Sequence, residues 1–213
     1  MPFKIKDDLI RLACSVPEYR RLHDVSERRL FLYGSITDIE SEEGVTVCAS
    51  KTGELVEYIF DYNREDRGKN IESRVPIKLF INSPGGDLNE GFSLIDAILL
   101  SKTPVYTFNI GEWSSMSFLI GIAGHKRFSF PHATFLLHDG SSGAFGSANK
   151  VQDRVKFEER FENEVVKEHV LSHSNMKSVD YDALARVEYY LLPNDALERG
   201  FIDEIVTDID AIL

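Results

Sequence analysis

Three stretches of this 213-residue chain carry residue types that could break an acyl bond. Ser83-Pro84-Gly85-Gly86 lies between a strand-like apolar run and a helix-like stretch. Its glycines can take positive φ and leave a backbone N–H open to a ligand. Gly111-Glu112-Trp113-Ser114-Ser115-Met116 also joins a strand pattern to a helix pattern. Ser115 is thereby set at a helix N-terminus, where the dipole favours negative charge. His138 directly follows an apolar strand pattern and precedes a flexible loop, so its imidazole can project beyond a strand end. Acyl transfer needs a nucleophile, a base within reach and donors aimed at the developing oxyanion. Taken singly these are ordinary features: a structural glycine loop, an N-cap serine and a surface histidine.

The elements that must position them read as follows. Residues 30–33 form a short buried strand closed by Gly34. Residues 35–76 hold a hairpin around 44–47 and a helix over 54–62, and 63–74, with seven charged residues, form a surface loop. The spacing then predicts a strand over 77–82, a helix over 88–100 and a strand over 105–110, which is a parallel βαβ unit. A short buried helix over 115–124, strands near 128–130 and 134–137, and a Gly/Ser-rich loop over 140–147 come next. The long helix over 148–173 has apolar residues at 151, 155, 161, 165 and 170, a stripe for the body or a partner subunit. A strand over 189–192, a helix over 194–199 stopped by Gly200 and a strand at 205–206 close the chain. Residues 1–28 read as an N-terminal arm and 29–213 as one domain.

Composition narrows the function classes. Lys and Arg total 24 against 35 Asp and Glu, and the net charge of −11 argues against nucleic acid or an anionic membrane as partner. Cys14 and Cys48 have no metal-ligand spacing and suit a reducing compartment. Without an apolar leader or a stretch near the roughly 18 apolar residues of a membrane span, the chain is expected to be cytoplasmic. The remaining histidines, His23, His125, His132, His169 and His173, read as surface residues and form no metal pattern. Gly140, Gly143 and Gly146 do not make a dinucleotide fingerprint. No metal or organic cofactor is expected.

Together the motifs resemble the ClpP family, from about residue 29 to 206. The matching stretches are Ile81-Asn82-Ser83-Pro84-Gly85-Gly86, residues 111–116 with Ser-Met at the nucleophile position, residues 128–138, and Asp195-Ala196-Leu197-Glu198-Arg199-Gly200-Phe201-Ile202-Asp203. The resemblance implies an α/β fold of ClpP/crotonase type, built of repeated ββα units with a long protruding helix. It implies Ser115 as nucleophile, His138 as general base, and the N–H groups of Gly86 and Met116 as the oxyanion hole. The implied activity is that of a serine endopeptidase cleaving peptides or unfolded polypeptides through an acyl-enzyme, inside an oligomeric ring.

Several positions depart from the family pattern. Registering the C-terminal stretch on Gly200 puts Glu188 where the family has aspartate; Asp182 and Asp180 are the fallback carboxylates. Trp113 replaces a small residue and is expected to narrow the pocket beside the nucleophile. Arg186 and Val187 replace an acidic–basic pair that links two rings in the family. Lys78 replaces an aromatic of the family's docking cleft for an ATPase, which weighs against an AAA+ unfoldase as partner. Residues 35–76 are longer than the pattern and are expected to add structure on one face. Two rival functions share the fold: a catalytically silent scaffold subunit, and a crotonase-type acyl-CoA enzyme.

Overall fold

Seven strands form one sheet among the residues that the computed structural model describes, 24–37, 51–141, 143–184 and 187–212. The elements in chain order are β1 (Arg29–Tyr33), α1 (Lys51–Glu65), β2 (Ile77–Ser83), α2 (Leu88–Leu100), β3 (Val105–Ser114), α3 (Met116–Ile122), β4 (Lys126–Ser129) and β5 (Thr134–Leu137). They continue with α4 (Ala148–Phe161), a π-helical turn (Glu162–Val166), α5 (Lys167–Ser172), α6 (Ser178–Leu184), β6 (Tyr189–Leu191), α7 (Pro193–Glu198) and β7 (Glu204–Ile205). The expected N-terminal arm up to residue 23, the hairpin around 44–47 and Arg186 lie outside the described residues.

β1, β2, β3, β4 and β7 pair in parallel in that order, while β3 also pairs β5 in parallel and β6 runs antiparallel to β5. Strands covered on both faces read as near-continuous apolar runs. One face carries the main core, with Leu32, Leu79, Ile81, Leu94, Ile98, Phe118, Ile120 and Phe201 almost wholly buried. On the other face Phe31, Phe80, Phe108 and Phe128 stack across four strands at 5.2, 4.8 and 4.7 Å between successive ring centroids. This architecture is the mixed α/β, mainly parallel ClpP-like fold that the sequence pointed to.

Several helices differ from the expected ones. α1 starts three residues earlier than expected and buries Leu55, Ile59 and Tyr62 in the core, so the described helix of the 35–76 region belongs to the body of the domain. The 63–74 stretch is not all surface: Asp66 is fully buried, bonded by the Arg28 guanidinium at 2.6 and 2.9 Å and by Thr103 at 3.0 Å. The long helix holds a π-helical turn in mid-course, where Tyr181 of α6 donates to Glu162 at 2.5 Å. No residue of α4 is buried, so the long helix makes full contact with the body only from Val166 onward. α6 itself was not foreseen. His169 is a correction as well: read as a surface residue, it is 8% exposed and lies against Leu119 and Phe92.

Candidate active site

β2 and β3 run in register from Ile77↔Val105 to Ile81↔Asn109, after which β3 gains two residues and Ser83 pairs with Trp113. The extra residues let β3 leave β4 after Asn109 and join β5 from Glu112 to Ser114. Asn109 holds the crossover: its Nδ2 donates to Thr134 C=O at 2.9 Å and its Oδ1 accepts from Gly111 N–H at 3.1 Å. β3 can therefore extend to Ser114 and deliver Ser115 beside β5.

Ser115 sits between β3 and α3 at φ 55°, ψ −126°, a conformation that a non-glycine residue adopts only when its surroundings enforce it. Its N–H donates to Leu136 C=O at 3.0 Å, and its C=O accepts from Phe118 N–H at 3.0 Å. Met116 anchors the turn from below: a Cβ on Gly91 of α2 would lie 2.3 Å from the Met116 side chain, so the glycine makes room for it.

The glycine loop after β2 abuts this turn. A Cβ on Gly85 (φ 92°) would lie 2.6 Å from Ser114 O, 2.8 Å from Met116 N and 2.8 Å from Ser115 Cβ, so only glycine allows the approach. Gly86 (φ 147°) is crowded from the other side, where a Cβ would lie 1.8 Å from Ile36 O. Ile36 N–H donates to Gly85 C=O and Asp87 N–H donates to Ile36 C=O, both at 2.8 Å. In this parallel bridge the hydrogen-bond partners of Ile36 are the residues flanking Gly86, so the Gly86 N–H points away from Ile36. Met116 opens α3, and its N–H is one of those that a helix leaves without an internal partner.

His138 follows β5 by one residue and is half-buried. Its Nε2 is buried without a hydrogen-bond partner among the described residues. Leu136, whose carbonyl takes the Ser115 N–H, lies two residues before it on the same strand face. No hydrogen bond joins Ser115 Oγ and His138 among the described residues, and catalytic contacts are commonly loose before substrate binds.

β5 and β6 pair as Phe135↔Leu191, Leu136↔Tyr190 and Leu137↔Tyr189. Continuing that register by one residue sets His138 across from Glu188, where side chains of an antiparallel pair lie about 5 Å apart at Cβ. The Glu188 carboxylate is exposed and accepts from Tyr190 Oη at 2.8 Å. That bond, together with the nearby charges of Glu188 and Glu112, raises the Tyr190 pKa above its ordinary value. The fallback carboxylates sit apart from this ladder, on α6, where Asp182 is held by Lys167 Nζ at 2.5 Å.

Trp113 overturns one expectation. It is fully buried, packed edge-on to Phe135 at 5.6 Å and against Gly121, whose added Cβ would lie 2.4 Å from the indole. Such a side chain fills the core and does not line a pocket. Ser117 was passed over in the sequence, although a lone serine in the buried run Met116–Ile122 is an unusual choice. It is fully buried, and its Oγ reaches Ser83 C=O at 2.5 Å and Ser114 C=O at 2.9 Å while accepting from Ser114 N–H at 2.9 Å.

The Clp protease family matches residues 69–208, which include Gly86, Ser115, Met116, His138 and Glu188. Over 140 residues the chain is 29% identical to an ATP-dependent Clp protease proteolytic subunit of Streptococcus gordonii, covering 64% of this chain and 71% of that protein. The matched region spans β2 to β7, the part of the fold that carries the glycine loop, Ser115 and His138. On these grounds the chain belongs to the Clp protease family, as a divergent member.

Proposed function

We propose that this protein is a serine endopeptidase that cleaves peptides or unfolded polypeptides within an oligomeric ring in the cytoplasm. The observation that supports the proposal is the meeting of two loops: the Gly85 backbone lies against Ser114, Ser115 and Met116, so the glycine loop and the Ser115 turn are immediate neighbours. Ser115 Oγ attacks the scissile carbonyl, and His138 Nε2 takes its proton. The oxyanion is held by the N–H groups of Gly86 and Met116. The tetrahedral adduct then collapses, and His138 returns the proton to the departing amine. Water, activated by the same imidazole, hydrolyses the acyl-enzyme and frees Ser115. Glu188 accepts from the other ring nitrogen of His138 and balances the imidazolium charge. Docking of an AAA+ unfoldase is not included, because Lys78 stands where the family's docking cleft has an aromatic residue.

A second reading, a catalytically silent scaffold subunit, is favoured by the Glu188 carboxylate, which is bonded to Tyr190 and not to His138. Treatment with a serine-directed fluorophosphonate followed by peptide mapping separates the two. The expected result is modification of Ser115 alone, with peptide hydrolysis abolished in Ser115→Ala. Failure to label Ser115, or full activity in the variant, refutes the peptidase assignment. Among the described residues no helix is long and apolar enough to cross a membrane.

A further inference from the structure

The last pair of the β2–β3 ladder is Ser83↔Trp113. Beyond it the two chains separate, β2 into the glycine loop that carries the Gly86 N–H and β3 into the turn that carries Ser115 and the Met116 N–H. An oxyanion pocket built from both chains needs its two donors at a fixed separation, yet the backbone ladder has ended before either is reached. Ser117 stands in this gap. Its Oγ proton goes to Ser83 C=O at 2.5 Å, the carbonyl from which the glycine loop departs, with Ser114 C=O at 2.9 Å as the alternative acceptor. Its lone pair receives the Ser114 N–H at 2.9 Å, from the residue just before the nucleophile. The glycine-loop side is braced further by Ser83 Oγ, which accepts from Gly85 N–H at 3.1 Å. Ser117 is fully buried, so water cannot replace these bonds without opening the packing.

We infer that Ser117 is a positioning residue: by tying Ser83 to Ser114, it fixes the distance between the Gly86 and Met116 amides and so the fit of the pocket to the oxyanion. This rests on the peptidase reading above. The hydroxyl touches neither substrate nor the reacting atoms. It acts through the two chains that do, and a donor displaced by about 1 Å costs on the order of 100-fold in rate.

Its signature is a change in kcat with little change in KM, because the ground-state carbonyl asks less of the pocket than the oxyanion does. Ser117→Ala is compared with wild type for hydrolysis of a fluorogenic peptide amide and for inhibition by a peptide aldehyde, whose hemiacetal oxygen uses the same donors. Rates are taken per site titrated with fluorophosphonate. The expected outcome is a kcat lower by about 10- to 100-fold, KM within about threefold, and aldehyde binding weakened in parallel with kcat. Ser117→Thr, which keeps the Oγ, is expected within about threefold of wild-type kcat. A folded Ser117→Ala with kcat and aldehyde affinity within about twofold of wild type overturns the inference, since a merely structural role lowers the folded fraction and not the rate per titrated site. If Ser117→Ala does not fold, Ser117→Cys, with its weaker donor, takes its place, and undiminished kcat there overturns it equally. Wild type that neither cleaves peptide nor labels at Ser115 removes the peptidase reading and this inference together. Labelled, active wild type beside an unaffected Ser117 variant removes this inference alone.

Discussion

In the proposed mechanism the Tyr190 hydroxyl competes with His138 for one carboxylate. It donates to Glu188 at 2.8 Å, while the β5–β6 register, continued one residue past its last pair Leu137↔Tyr189, would set the same residue across from His138. Tyr190 is 63% exposed, so water can take the place of its hydroxyl and the carboxylate is free to turn toward His138. Tyr190→Phe is therefore expected to hold kcat at the wild-type value or raise it slightly. Glu188→Gln removes the charge that balances the imidazolium, and by comparison with the serine protease triad kcat should fall by up to about 10⁴-fold with the melting temperature unchanged. Steady-state peptide hydrolysis reads both. Near wild-type turnover in Glu188→Gln means that His138 works with another carboxylate or in a dyad.

Between elements, the site depends on how β3 turns from β4 to β5, and this turn also explains what the sequence concealed. The strand runs, the glycine loop and the Ser115 turn were legible because each is a local pattern: an apolar run, a Gly-Gly pair after a strand, a serine before a helix. The two-residue register shift after Asn109 has no such signature, yet it decides that Trp113 faces Gly121 and Phe135 in the core. Gly121→Ala accordingly places a methyl into the indole and is expected to cost about 1–3 kcal/mol in a thermal melt. An unchanged melting temperature would show that Trp113 has room to move. α6 was missed because seven residues make under two helical turns, too few for a readable stripe, and His169 was misread because its cover, α3, is distant in sequence. Burial holds the His169 pKa down at about 4, with its Nε2–H donating to Leu119 C=O at 2.9 Å and His173 alongside. The folded value lies below the unfolded value near 6.5, so this residue's contribution is present above pH 6.5 and is lost as pH falls toward 4. The loss is expected to reach roughly 3 kcal/mol, read as denaturant midpoints between pH 7 and 4. His169→Gln should flatten that dependence, and an equal slope in the variant would assign the acid sensitivity to other groups.

For the molecule as a whole, α4 poses the question of what it is for. None of its residues is buried, Val155 and Phe157 are 45% and 57% exposed, and Phe145 in the preceding loop is fully exposed. A helix off the body keeps its fold through pairs along its own surface, here Arg154–Glu158 at 2.5 Å and Arg160–Glu164 at 2.9 Å, but such pairs give no reason for exposed aromatics. Phe157 lies tilted against Phe161 at 6.1 Å, and Phe161 meets Phe92 of α2 edge-on at 5.2 Å, so one aromatic line runs from the body out along the helix. In the proposed ring, an exposed apolar line of this kind on a chain with net charge −11 is the surface that a second copy would cover. Light scattering at micromolar concentration is then expected to give a mass several times the 24.2 kDa of one chain. Phe157→Glu puts a charge where burial against a neighbour would leave it unpaired, a penalty of several kcal/mol per interface, so the assembly should shrink or dissociate. The single chain should keep its melting temperature within a few degrees, because the side chain it changes is already exposed. A wild-type particle of 24.2 kDa refutes the assembly. An unchanged large mass in Phe157→Glu places the contact away from α4.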